Sequence, residues 1–310
     1  MIVFVALLCV LGFGFDAFYL GVGGGYVPVG SLIALVVGAV SASVGYFSGD
    51  RAVLAATAAK PIDEVEAAAD EASKLKVRQL RNVVDEMSIA AGLPRPAVYV
   101  VPDQDPNAFA TGRGPEHASI AVTRGLLETL DREELQGVVA HEMSHIRNLD
   151  VRLMTVVAAL TGAVALLADW ARRGMMWGGG GSRRDDDRRG GVAGVVFFMV
   201  WIVAILLAPI VARLLATMVS RRREYLADAT GAELTRNPLG LARALEKLED
   251  AVEPTRAIKQ GSAHLCIADP LGRQINLRTG FWSDIFASHP PMAARIAALK
   301  AMAFQEEGPK

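Results

Sequence analysis

His141-Glu142-Met143-Ser144-His145 is the stretch on which the reading of this chain turns. Histidines four apart lie on one face of an α-helix, about one turn from each other, so both imidazoles reach a single ion. Glu142 stands beside them and is not needed as a ligand. From there a carboxylate can take a proton from water on that ion. The chain has only 5 histidines, so a chance HExxH is rare in it. The alternative is a solvated helix face with two stray histidines, but the context is helical and amphipathic. Asp131 is placed as an N-cap with Glu134 three residues on, and Leu135, Val138, Val139, Met143 and Ile146 form the apolar stripe.

Two histidines leave a zinc site open, because catalytic zinc usually takes three protein ligands and a water. The third comes from Arg221-Arg222-Arg223-Glu224-Tyr225-Leu226-Ala227-Asp228, where Glu224 and Asp228 are four apart and share a helical face. Glu224 completes a His-His-Glu site for one zinc per chain, and Asp228 can hydrogen-bond a ligand imidazole from behind. The competing account pairs Glu224 with the arginines before it.

These residues carry a family resemblance. His141 to Asp150 (HEMSHIRNLD) resembles the HtpX-type membrane zinc endopeptidases. So do Asn107-Ala108-Phe109-Ala110-Thr111-Gly112, Arg223 to Asp228, and His289-Pro290-Pro291 with Arg295. The resemblance runs from the first apolar run to about Lys300. More distantly, the pattern is similar to the zinc CAAX-prenyl endopeptidases. What the resemblance implies is a membrane-embedded gluzincin facing the cytosol, with His141, His145 and Glu224 on zinc and Glu142 catalytic. It further implies damaged or misfolded membrane proteins as substrates, and a role in stress. The tract from Gly174 to Gly191 is where this sequence departs most from the family.

Hydrophobic residues make up 52% of the chain and the mean hydropathy is +0.31, more than a soluble domain carries. The excess lies in four runs: Ile2 to Leu20, Ser31 to Phe47, Leu153 to Ala168 and Val192 to Ala212. A span needs about 20 apolar residues, with about 17 as the lower limit. The first, second and fourth runs meet it. The third is short, and a buried or interfacial helix is its alternative. The first run lacks a basic n-region and an A-x-A-like site, so it is read as an anchor and not a cleaved signal. A net charge of −1 gives no footprint for nucleic acid. Cys9 and Cys266 make no disulfide framework.

The expected architecture is mainly α with a small β-sheet, a zincin-like catalytic domain interrupted by a transmembrane hairpin. Residues 1–50 are two transmembrane helices, 51–152 and 217–310 the two parts of the catalytic domain, and 153–216 the hairpin, with a Gly/Arg/Asp-rich loop at 172–191. Pro61 opens a long helical pattern through Val65, Leu75, Leu80, Val84, Met87 and Ala91, closed by Gly92. Ala97 to Val101 and Ser119 to Thr123 read as strands. Asn107, Ala108, Phe109 and Ala110 lie between them, on an edge strand or a loop whose backbone pairs with extended substrate, or on an ordinary strand or loop that only packs. Asn237-Pro238 caps a helix running to about Glu249. No order is read into Gly261 to Ser288.

Three more residues are candidates. Asn148, three after His145, can bond a ligand or hold the helix end. His289 or Arg295, brought near the zinc, can stabilise an oxyanion, although a capped surface helix is the favoured reading of that segment. His117 and His264 have no partner and are read as ordinary. His145 precedes Leu153 by eight residues and Glu224 follows Ala216 by eight, about 12 Å of helix each. Both ligand helices are therefore expected to continue unbroken from the third and fourth runs.

The activity expected is hydrolysis of polypeptides by a zinc-activated water with Glu142 as base, at a prokaryotic plasma membrane. The positive-inside rule alone leaves the orientation open, because arginines flank both the catalytic segments and the 172–191 connection. The resemblance tips it to a cytosolic site. A CAAX-type processing peptidase is the rival enzyme, but about seven runs would suit it and this chain has four at most. A transporter would carry ionisable groups inside its spans, where only Asp16 lies. A scaffold without catalysis is opposed by the intact Glu142.

Overall fold

Ala97–Val101 (β2), Ala108–Gly112 (β3) and Ala118–Thr123 (β4) are short β-branched and small-residue runs. With Lys60–Pro61 (β1) they form a mixed sheet of order β1-β2-β4-β3. β2 and β4 run parallel with Tyr99 opposite Ala121, while β1 and β3 lie antiparallel at the two sides. The computed structural model describes residues 9, 13, 16, 29–152, 222–251, 265–268 and 290–306 of the chain. The third and fourth apolar runs, the 172–191 loop, His264 and His289 lie outside those residues, as does most of the first run.

The chain divides into two compact units, Met1–Phe47 with Leu160–Arg213, and Ser48–Ala159 with Leu214–Lys310. In the first, the described residues are Cys9, Phe13, Asp16 and the first part of helix α1 (Val29–Ala56), which carries the second apolar run. Leu32, Ile33, Val36, Val40, Val44 and Phe47 are all exposed on it. Among the described residues no single helix is long and apolar enough to cross a membrane. Ser31–Val40 and Ser43–Ala56, bent by 42°, pass that test only as a pair.

In the second unit, helices bury their stripes against the sheet and against one another. These are Ile62–Ala68 (α2), Glu71–Ala91 (α3), Arg124–Thr129 (α4), Arg132–Arg147 (α5), residues 222–235 (α6), Pro238–Asp250 (α7) and Met292–Glu306 (α8). α5 is central, packed against α3, α7, β3 and β4. Leu135, Val138, Val139, Met143 and Ile146 are all buried, as the stripe predicts. Asp131 caps α5 in a full capping box with Glu134. The result is a mainly helical protein with a small mixed sheet.

Two expectations are corrected here. The long helix from Pro61 is two helices. Ala69 is extended, and the Asp70 side chain takes the N–H of Ser73 at 2.9 Å, so a new N-cap opens α3. Nor does the HExxH helix run on unbroken toward Leu153. It ends at Arg147, Leu149 has φ +59°, and helical backbone resumes at Asp150. A left-handed residue cannot continue an α-helix. Whether α6 continues upstream lies outside the described residues.

Candidate metal centre

α5 and α6 meet at a glycine. A Cβ built on Gly231 would stand 3.1 Å from the backbone N of His141, so only glycine lets the two helices approach this closely without a shift. Glu224 lies seven residues before Gly231, two turns along the same face. That close approach brings its carboxylate to the α5 histidines.

There the three predicted ligands converge. His141 Nε2 and His145 Nε2 are 3.2 Å apart. Glu224 Oε2 is 3.6 Å from the first and Oε1 is 3.6 Å from the second. One ligand atom from each residue lies within 4.8 Å of the others, and all three side chains are buried. Each imidazole turns its other nitrogen to a carboxylate. His145 Nδ1 is 3.2 Å from Asp150 Oδ2. His141 Nδ1 is 2.9 Å from Asp228 Oδ1, ion-pair distance though bent out of hydrogen-bond alignment. A proton held at each Nδ1 leaves two Nε2 lone pairs aimed at one point beside a carboxylate. This donor set fits a divalent cation, and two nitrogens with one oxygen suit zinc.

Behind Asp228 stands Arg295. Nε donates to Oδ2 at 2.8 Å and Nη2 to Oδ1 at 2.7 Å, while Nη1 donates to the carbonyl of Ile267 at 3.0 Å and lies 3.4 Å from Glu224 Oε2. The surface-helix reading of Arg295 is thus overturned, since its exposure is 0%. Its charge is compensated by two carboxylates from α6. Asn148, by contrast, is exposed and caps α5 with its N–H on Ser144, outside the ligand group.

Burial lifts the Glu142 carboxyl to about 7, with Glu224 adding to the rise and His145, the Ala110 backbone and Arg295 opposing it. Both its oxygens are buried with no hydrogen-bond partner among the described residues. Burial lowers His141, with His145 and Arg295 adding to the fall, and outweighs Asp228. Burial opposes a charge on His145 as well, but Asp150, Glu224 and Glu142 overcome it and hold that imidazole at about 9. Asp228 is raised by burial, yet Arg295 and then His141 pull it to about 2.

Ala108, Phe109 and Ala110 lie in β3, which ends the sheet order beside β4, and Asn107 stands just before it. The side chain of Asn107 is fully buried, donating to Ala268 O at 3.0 Å and accepting from Ala268 N at 3.4 Å. Phe109 bridges Cys266, and Ile267 N donates to Ala108 O at 2.9 Å. Residues 265–268 went unread in the sequence, having no periodicity to mark them. Asp150 was missed as a partner of His145. An acceptor for the second ring nitrogen was the available signal, but on a continuous helix a residue five on faces elsewhere. Arg223 pairs with Asp150 and not with Glu224 beside it.

The comparisons agree with this geometry. Residues 74–303 match Peptidase family M48. A Protease HtpX homolog of Tropheryma whipplei (strain Twist) is 42% identical over 306 residues, covering 98% of this chain and 95% of the relative. Another, of Streptococcus thermophilus, is 41% identical over 303 residues, covering 97% and 95%. That of Caldanaerobacter subterraneus subsp. tengcongensis is 42% identical over 259 residues, covering 84% and 80%. The crystal structure of S. mikatae Ste24p shares the fold with a TM-score of 0.51 at 17% identity, over 95% of this chain and 62% of that one. With a buried His-His-Glu group beside an unpartnered glutamate, on a chain matched almost end to end by these proteases, the chain belongs to peptidase family M48 and is a membrane metalloprotease of the HtpX type.

Proposed function

We propose that the chain is a zinc endopeptidase in which His141, His145 and Glu224 hold the metal and Glu142 is the general base. The observation that carries this reading is the convergence of two Nε2 atoms and one carboxylate, with Glu142 buried and free beside them. When bound, zinc supplies Lewis acidity to water and to the peptide carbonyl. Glu142 takes the proton of the attacking water and returns it to the leaving amine. Asp228 and Asp150 hold the imidazoles in the tautomer that leaves Nε2 free. Arg295 keeps Asp228 ionised and places a fixed positive charge 3.4 Å from Glu224.

The substrates are polypeptides, and damaged or misfolded membrane proteins fit a site carried by a membrane chain. The exposed apolar residues of α1 support a lipid-facing surface. The remaining spans, a hairpin dividing the catalytic domain and a cytosolic site belong to the same proposal. Removing metal from purified protein with a chelator should abolish casein hydrolysis, and one equivalent of zinc should restore it. Hydrolysis that persists in fully stripped protein would overturn the reading.

A further inference from the structure

Residues Leu265–Ala268 lie along the side of β3 away from β4, and what they touch there is backbone and site. Phe109 pairs with Cys266 in an antiparallel bridge, and Ala108 O accepts the N–H of Ile267 at 2.9 Å. The Asn107 amide takes both the N–H and the C=O of Ala268. All of these bonds read main chain, so they would hold any extended peptide, whatever its side chains. The last contact reaches the reaction centre. Arg295 Nη1, 3.4 Å from the proposed ligand Glu224, donates at 3.0 Å to the carbonyl of Ile267. One peptide carbonyl is thereby held by a fixed cation beside the candidate ligand group, on a short segment that meets the sheet edge through one antiparallel bridge. An incoming substrate would need that same arrangement.

The side chains add selectivity. Leu265, Cys266, Ile267 and Ala268 are apolar and each is at most 2% exposed. Leu265 and Cys266 pack with Val101, Phe109 and Ala121. The surface that receives them is therefore shaped for an apolar strand.

We propose that Leu265–Ala268 is an internal substrate mimic, holding the β3 edge that an incoming polypeptide must take, so that the enzyme acts on extended, apolar segments able to displace it. The inference rests on the peptidase reading above. It identifies the substrate class as chain that is unfolded and apolar together, as when a packed or membrane segment loses its structure. Folded surfaces offer neither the free backbone nor the apolar side chains.

Cys266 is buried, and Cys9 is the other cysteine, so the segment carries its own reporter. Full-length zinc-loaded protein with Cys9→Ala and Glu142→Gln should bind reduced β-casein without cutting it. Maleimide labelling of Cys266 should then accelerate about tenfold or more. Unchanged or slower labelling, with casein shown to be bound by co-sedimentation, would overturn the proposal and make the segment a permanent wall of the site. In catalytically intact protein, Ile267→Pro removes the N–H given to Ala108 and should lower KM for casein about fivefold, the worth of one backbone hydrogen bond. A raised KM with unchanged thermal stability would count against displacement. The labelling involves no change within the segment, so it decides the matter even if the proline variant does not fold. Wild-type protein that binds zinc and cuts no polypeptide would refute the peptidase reading instead.

Discussion

Arg295 grips Asp228 through two parallel hydrogen bonds, at 2.8 and 2.7 Å, across 67 residues of sequence. Asp228 in turn meets His141, so a guanidinium on α8 fixes that imidazole on α5 by way of α6. Removing the carboxylate leaves a fully buried cation with one partner fewer. Asp228→Asn should destabilise the protein by about 3–5 kcal/mol, the usual result of breaking a buried pair from one side. Metal affinity should drop about 10–100-fold as His141 loses its support. Thermal unfolding and metal titration of the variant check the two numbers separately. Because Asp228 is held at about 2, below its ordinary 3.8, its share of stability is complete above about pH 4 and disappears as the pH falls through about 2.

Gly231 should tolerate no branched side chain. Its missing Cβ faces the backbone of His141 at 3.1 Å, and backbone within a central helix cannot swing aside. Gly231→Val should separate α6 from α5, cost about 1–3 kcal/mol as overpacking, and weaken metal binding at the same time. Differential scanning calorimetry with and without zinc measures both effects. A Gly231→Val protein with unaltered metal affinity would show that the helix contact does not set the ligand geometry.

Much of this site could be read from residues that report on themselves locally. The i, i+4 spacing placed His141 and His145 together, the Asp131–Glu134 capping box fixed where α5 begins, and Asn237-Pro238 opened α7. Every residue of the α5 stripe is buried, although from Gly137 to Ile146 the helix is buried on all sides. What stayed hidden depended on tertiary partners. Arg295 looks like any helix-surface arginine until Asp228 and Glu224 are brought to it, and nothing within α8 announces them. Asp150 reaches His145 only because Leu149 takes φ +59°, and leucine gives no warning of a left-handed bend. Equal offsets of His145 and Glu224 from the apolar runs suggested continuous helices for the same reason, as the count cannot see a break. Leu265–Ala268 has too few residues to show any period.

Metal uptake should release protons. In metal-free protein Asp150, Glu224 and Glu142 hold His145 at about 9, so the imidazole is charged at pH 7.5 and must lose its proton to become a ligand. Zinc affinity should therefore rise with pH until about 9 and level off above it. Titration calorimetry in buffers of different ionisation enthalpy should give about one proton or slightly more per zinc at pH 7.5. A heat independent of the buffer would mean that His145 is neutral before the metal arrives.

Catalysis should fail on the acid side for a different reason. The active form of Glu142 is the carboxylate, and burial raises its pKa to about 7 in the metal-free site. A bound cation draws that value down, so kcat/KM should increase with pH along a limb whose midpoint lies at or below about 7. The sign is fixed, because protonating the base removes activity as the pH falls. A pH–rate profile on metal-saturated protein tests it, and activity that declined between pH 5 and 7 would exclude Glu142 as the base.

The division of labour between Glu142 and Glu224 is tested most directly by metal content and casein hydrolysis measured on the same preparations of wild type, Glu142→Gln and Glu224→Ala. Glu142→Gln should carry as much zinc as wild type and lose hydrolysis by about 100-fold or more, since the base is gone and all three ligands remain. Glu224→Ala should lose both, zinc first, because two imidazoles alone hold the ion poorly. A Glu224→Ala protein that kept full zinc occupancy and normal turnover would contradict the account.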